Sequence, residues 1–127
     1  MLSIEATKSS PKILFSEADL SLEISGESYP ENSFEFFGPL FLWCAQTLPH
    51  LPSLVLKVNI RYMNSSSTKC MLDLLDLLSE ASQKGCQASV RWYWEQGNDR
   101  AFDLAEEFKE DLDLPFEIVA LKPGEAL

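Results

Sequence analysis

The chain has 127 residues, 46% hydrophobic and 11% aromatic, and a formal net charge of −10. That length and apolar content suit one folded domain with a real core and exclude a disordered chain. The acidity argues against nucleic acid and against an anionic membrane surface, since both need clustered Lys and Arg.

The first third reads as strands. Leu2 to Thr7 and Lys12 to Phe15 flank a Ser-Pro turn. Asp19 to Ser25 alternates, with Leu20, Leu22 and Ile24 on one face, and Gly26 is expected to close that strand. "ESYPENS" then reads as a loop.

A helix is predicted from Ser33 to Leu48, with Phe34, Phe37, Phe41, Cys44, Ala45 and Leu48 as its apolar stripe. Gly38-Pro39 interrupts it, which predicts a kink or a helix proper starting near Pro39. Ser53 to Met63 reads as a mostly buried strand, with Leu54, Leu56, Val58 and Ile60 on one face. The next helix is predicted from about Ser67 to Lys84, closed by Gly85. Cys86 to Glu95 is a strand in which Val90, Trp92 and Trp94 oppose Arg91 and Tyr93. Asn98 or Asp99 caps a third helix with a stripe of Ala101, Leu104, Ala105, Phe108 and Leu112. Seven acids between Asp99 and Asp113 read as its solvated outer face. Pro115 to Lys122 is the last strand.

Strands separated by helices imply right-handed crossovers and a parallel sheet, and the short opening strands suit an antiparallel edge. The expectation is one α/β domain over residues 1–127, a sandwich of three main helices on a mixed sheet of about six strands. The apolar runs are too short to cross a membrane, and a targeting signal is not expected in Met1 to Thr7, which lacks a basic region followed by an apolar one.

Little in the composition suggests catalysis. Cys44, Cys70 and Cys86 are widely spaced without a CxxC, which reads as buried reduced thiols in a cytoplasmic protein. His50 lies in a proline-bounded loop and has no partners for a zinc site or a nucleophilic triad. With no glycine-rich phosphate loop either, no cofactor, no metal and no enzymatic activity are expected.

The stretch that calls for an explanation is "YMNSSSTK", Tyr62 to Lys69, where Ser65, Ser66, Ser67 and Thr68 stand between a strand and a helix. One reading is an N-cap with redundant hydroxyls. The other is a phosphate site, because a helix start at the carboxyl edge of a parallel sheet offers unpaired N–H groups and a positive dipole end. The first turn carries Lys69 in place of the usual acid, which becomes favourable once an anion arrives. Residue physics alone favours the cap, since one serine suffices for it, and periodicity does not decide between the two. The "SYPEN" loop divides likewise, into a structural turn capped by Asn32 or a contact surface made of Tyr29, Glu31 and Asn32.

"GESYPENS" (Gly26 to Ser33), "YMNSSSTK" (Tyr62 to Lys69) and "VRWYWE" (Val90 to Glu95), in that order and at those distances, resemble the SiaC family of bacterial regulatory phosphoproteins. The resemblance spans nearly the whole chain. It implies a fold similar to STAS domains, the anti-sigma-factor antagonists, and a non-enzymatic switch. In such a switch a dedicated Ser/Thr kinase phosphorylates a hydroxyl in the strand-to-helix loop, and a PP2C-type phosphatase removes the phosphate. The unphosphorylated form binds and activates a diguanylate cyclase, raising cyclic di-GMP and favouring biofilm. Laid on the family loop Asn-Thr-Ser-Ser-x-Lys, the chain matches at Asn64, Ser66, Ser67 and Lys69, and the acceptor falls on Ser65, a serine where the family has threonine. Thr68, at the variable position, is the next acceptor. On the functional reading of the "SYPEN" loop, Tyr29, Glu31 and Asn32 lie near that loop as partner contacts. The competing function is an anti-sigma-factor antagonist, with the same fold and a different partner.

Overall fold

Six strands form one sheet in the order β1-β2-β3-β4-β5-β6. The computed structural model describes residues 2–127. The strands are β1 (Ser3–Ile4), β2 (Lys12–Ser16), β3 (Ser21–Ser28), β4 (Ser53–Met63), β5 (Gln87–Glu95) and β6 (Phe116–Leu121). The helices are α1 (Ser33–Thr47), α2 (Ser65–Gln83) and α3 (Asp99–Glu110). The first three strands pair antiparallel, and β3 through β6 pair parallel. This is the mixed α/β sheet that the element order predicts.

Each parallel neighbour is reached through one α-helix, followed in the first crossover by a short 3-10 turn at Leu48–His50. Repeating the same right-handed crossover between adjacent strands puts α1, α2 and α3 on one face of the sheet. Burial agrees: Leu22, Ile24, Leu54, Leu56, Val58, Val90 and Trp92 are buried under the helices. The alternate positions Glu23, Lys57 and Arg91 stay accessible, and Lys12–Glu23 and Arg91–Glu117 form ion pairs across that open face. Among the described residues no helix is long and apolar enough to cross a membrane.

Four local expectations are corrected. The opening strand shrinks from Leu2–Thr7 to Ser3–Ile4. Leu20 is not a strand residue; it sits in the turn before β3 with φ of 51°. Gly26 does not close β3, which runs on to Ser28. Gly26 adopts φ of 121°, which glycine tolerates. There Gly26 opposes Ile60 while Glu27 opposes Tyr62, so Arg61 is an extra residue in β4. This bulge reverses the alternation, turning Tyr62 outward and Met63 inward.

The fourth correction concerns α1, which runs unbroken from Ser33 through Pro39. Pro39 lies on the exposed face, and the carbonyl it leaves without a donor belongs to exposed Glu35, so the break in the ladder falls on the solvent side of the helix. The buried stripe of α1 is Ser33, Phe37, Leu40 and Cys44. Phe34 and Ala45, expected inside, face solvent. A residue one position off a helical stripe is turned by about 100°, and Phe34 is that residue.

Candidate functional site

The ends of β3 and β4 deliver the chain to the starts of α1 and α2 side by side, at the carboxyl edge of the parallel strands. The Asn64 N–H donates to the Ser28 carbonyl at 2.9 Å, which ties the two strand ends together. Asn64 is the N-cap of α2: its Oδ1 accepts from the Ser67 N–H at 2.9 Å. Its carbonyl accepts from both the N–H and the hydroxyl of Thr68. The helix therefore starts at Ser65, two residues before the sequence expectation, and the cap is Asn64 rather than a serine. The three serines are its first three residues, not loop.

Consecutive helical residues point about 100° apart, so the run divides its labour. Ser67 points inward, 1% exposed, against Ser28 (0%) and Ser33 (2%). The Ser28 hydroxyl donates to Ser67 Oγ at 2.7 Å, Ser67 and Ser33 lie 3.1 Å apart, and Ser33 and Ser66 2.8 Å apart. Ser66 in turn donates to Asn64 Oδ1 at 3.2 Å. A hydroxyl has one proton to give. Because Ser66 spends its own on Asn64, Ser33 must donate to Ser66, Ser67 to Ser33 and Ser28 to Ser67. The direction of the chain is thus set at every link, and it ends on the cap oxygen. Buried hydroxyls satisfied in this way stabilise one geometry, because breaking any link leaves a buried polar group unpaired.

Ser65 stands apart from that chain. It is exposed, and among the described residues its hydroxyl forms no hydrogen bond. It occupies the first position of α2, where backbone N–H groups lack helical partners and the dipole is positive. No acid lies in that first turn. Lys69, one turn on, pairs with Asp73 at 2.7 Å, and this hydrogen bond raises the Lys69 pKa above its ordinary value.

Of the other predicted residues, Asn32 caps α1 by accepting from the Glu35 N–H at 3.1 Å. Glu31 and Asn32 share an open groove with Phe34, Glu35 and Ser66, so the "SYPEN" loop does lie beside the serine run. Tyr29 packs edge-on against Tyr62, ring centroids 5.9 Å apart. Thr68 lines a different cavity, toward α3, with Arg61, Asn98 and Arg100. Two classes of residue escaped the sequence reading. Ser28 and Ser33 were not distinguished from ordinary loop serines. Phe34 and Tyr62, 56% and 51% exposed, were not recognised as surface aromatics flanking the site.

Cys44, Cys70 and Cys86 are buried free thiols, and burial pushes the Cys44 pKa up to about 12. Among the described residues no group of three His, Cys, Asp or Glu is placed to hold a metal. What the site presents is the exposed Ser65 hydroxyl, at a helix start capped by Asn64 and beside the exposed aromatics Phe34 and Tyr62.

Known proteins share both sequence and fold. The sequence model of a family described as SiaC family regulatory phosphoprotein matches residues 4–121. An uncharacterised protein of Pseudomonas aeruginosa strain UCBPP-PA14 is 43% identical over 94% of this chain and 95% of its own. A chain in the crystal structure of the diguanylate cyclase SiaD in complex with its activator SiaC, from Pseudomonas aeruginosa, superposes with a TM-score of 0.89. It is 43% identical, over 95% of this chain and all of that one. A structure of SiaC of Pseudomonas aeruginosa gives 0.86 at 42% identity, over 94% of this chain and 98% of that one.

Proposed function

The chain belongs to the SiaC family of regulatory phosphoproteins, and from that premise we propose that it is a phosphorylation-controlled protein-binding switch acting in the cytoplasm. Its unphosphorylated form binds and activates a diguanylate cyclase. A Ser/Thr kinase phosphorylates Ser65, and a PP2C-type phosphatase restores the binding form. The cyclase assignment rests on the relative solved in complex with SiaD, of which that SiaC is the activator.

The observation that supports Ser65 as the acceptor is its position. It is the exposed hydroxyl of the run, while Ser66 and Ser67 are held in the buried chain and Thr68 is bonded back to Asn64. A kinase must lift its acceptor into its own active site, and Ser65 does so without breaking a bond. Serine in place of the family threonine keeps the nucleophile and removes one methyl group. The phosphate adds nearly two negative charges at a contact surface that includes Phe34 and Tyr62, which penalises docking by desolvation and by repulsion from acids.

The test is to phosphorylate the protein with the kinase and ATP and map the product by mass spectrometry. Modification at Ser65 is expected, and its absence anywhere from Ser65 to Thr68 overturns the switch. Ser65→Ala should retain cyclase binding and Ser65→Asp should weaken it. A pull-down that retains an anti-sigma-factor kinase in place of a cyclase would assign the switch to transcription.

A further inference from the structure

A charge installed on Ser65 does not stay local, because the first cation along α2 already has a partner. We propose that Lys69 exchanges Asp73 for the phosphoryl oxygens when Ser65 carries phosphate, so that the modification also bares the Asp73 carboxylate two turns along the helix. This rests on Ser65 as the acceptor and goes on to state what the phosphate does.

Three observations carry it. First, Ser65, Lys69 and Asp73 follow one another at intervals of four residues, so each is one turn from the next on the same side of α2. Lys69 therefore stands between the two anions and reaches either. Second, the pair present without phosphate is in the less favoured order. Helical side chains lean toward the N-terminus, so a cation four residues after an acid pairs better than one four residues before it. Lys69 precedes Asp73 at 2.7 Å, whereas it follows Ser65. Third, the competition is unequal. The phosphate brings nearly two charges and three acceptor oxygens, against one charge on Asp73. Both Lys69 and Asp73 are exposed enough that water takes over the released carboxylate.

The other charged groups near the first turn do not replace Lys69. Glu31 and Glu35 line the groove beside Ser66 and repel a phosphate. Arg61 lies with Thr68 on the α3 side and is paired with Glu27 at 3.7 Å. Asp76, the next acid along the helix, adds to the negative field once Asp73 is bare. Asp73 is eight residues from Ser65, so the change in surface charge extends about 12 Å along α2. It passes Leu72, an exposed apolar residue beside that carboxylate. The modified helix face thus differs from the unmodified one at two places.

The exchange is measured on the full chain carrying phosphoserine at position 65, inserted during translation so that no kinase is needed. Phosphorus NMR follows the second ionisation of the phosphate against pH, and carbon NMR follows the Asp73 carboxylate. In the parent protein that ionisation should fall about 0.3 pH unit below its value in Lys69→Gln, the effect of an exposed pair one turn apart. The Asp73 carboxylate signal should move on phosphorylation in the parent protein and stay put in Lys69→Gln. Equal phosphate ionisation in the two proteins overturns the exchange. So does a shift produced by Arg61→Gln and not by Lys69→Gln, which would place the phosphate on the α3 side. A kinase that ignores Ser65 defeats the functional reading and leaves this measurement intact.

Discussion

The Ser28 hydroxyl donates to the Ser67 hydroxyl across 2.7 Å, joining the last residue of β3 to the first turn of α2 in a site where neither is open to water. That bond begins a one-way chain through Ser33 and Ser66 to Asn64 Oδ1. The starts of both helices are therefore one unit, and Ser65 is mounted on it.

Breaking the chain should cost stability, not activity at the surface. Ser67→Ala leaves the buried hydroxyls of Ser28 and Ser33 each short of a partner, and should lower the unfolding free energy by about 1–3 kcal/mol. Because Ser28 and Ser67 share one bond, the double variant Ser28→Ala/Ser67→Ala should lose less than the sum of the singles. Urea denaturation of the four proteins measures this, and strict additivity would refute the coupling.

Asn64 acts as a cap and as the sink of the hydroxyl chain. Asn64→Ala should cost about 1 kcal/mol or more, while Asn64→Asp keeps the acceptor and suits the positive end of α2. The expected result is a lower urea midpoint for Ala at unchanged slope, with Asp near the parent protein.

Phe34 is an exposed aromatic beside the serine run, in the groove that the proposed interface would cover. With 56% of its surface exposed, Phe34→Ser should change stability by no more than about 0.5 kcal/mol. It should nonetheless weaken binding to the cyclase. Titration calorimetry of the cyclase with parent and variant reads both affinities, and unchanged affinity would remove Phe34 from the proposed interface.

The three thiols should be silent in the folded protein. Cys44 keeps its proton to about 12, because burial penalises the thiolate, and burial also raises Cys70 and Cys86. A thiol-disulfide reagent at pH 8 should label none of them quickly in buffer and all three in denaturant. The linkage has a definite sign. The unfolded chain releases the Cys44 proton near its ordinary value of 9.0 and the folded chain near 12, so the folded state holds more protons between those values. Stability is then complete below pH 9 and falls as pH rises toward 12. Alkaline denaturation of Cys44→Ala should show a shallower decline over that window.

The sheet and its helices were legible because each element repeats one signal. Leu54, Leu56, Val58 and Ile60 alternate, and Cys70, Met71, Leu74, Leu75, Leu77, Leu78 and Ala81 recur at helical spacing; all are buried except Leu77 and Ala81, which pack half-buried against the core. Where one residue decided the outcome the reading slipped. Gly26 looked like a strand end, and pairing across a bulge carried β3 past it. Phe34 looked like core, and the phase of α1 turned it to solvent.

Within the candidate site, what the sequence alone determined was composition and order: a run of hydroxyls at a helix start, a lysine directly after them, and a family described as regulatory phosphoproteins. It determined these because periodicity and turn chemistry are local properties. Which hydroxyl faces the solvent was decided only by the fold. Ser65 and Ser67 are the same residue type two positions apart. One is exposed and the other buried because Ser28 and Ser33, more than thirty residues earlier, come to meet the second. Helical geometry separates the two by about 200° around the axis, but only the packing of α2 against the start of α1 and the end of β3 says which way is in.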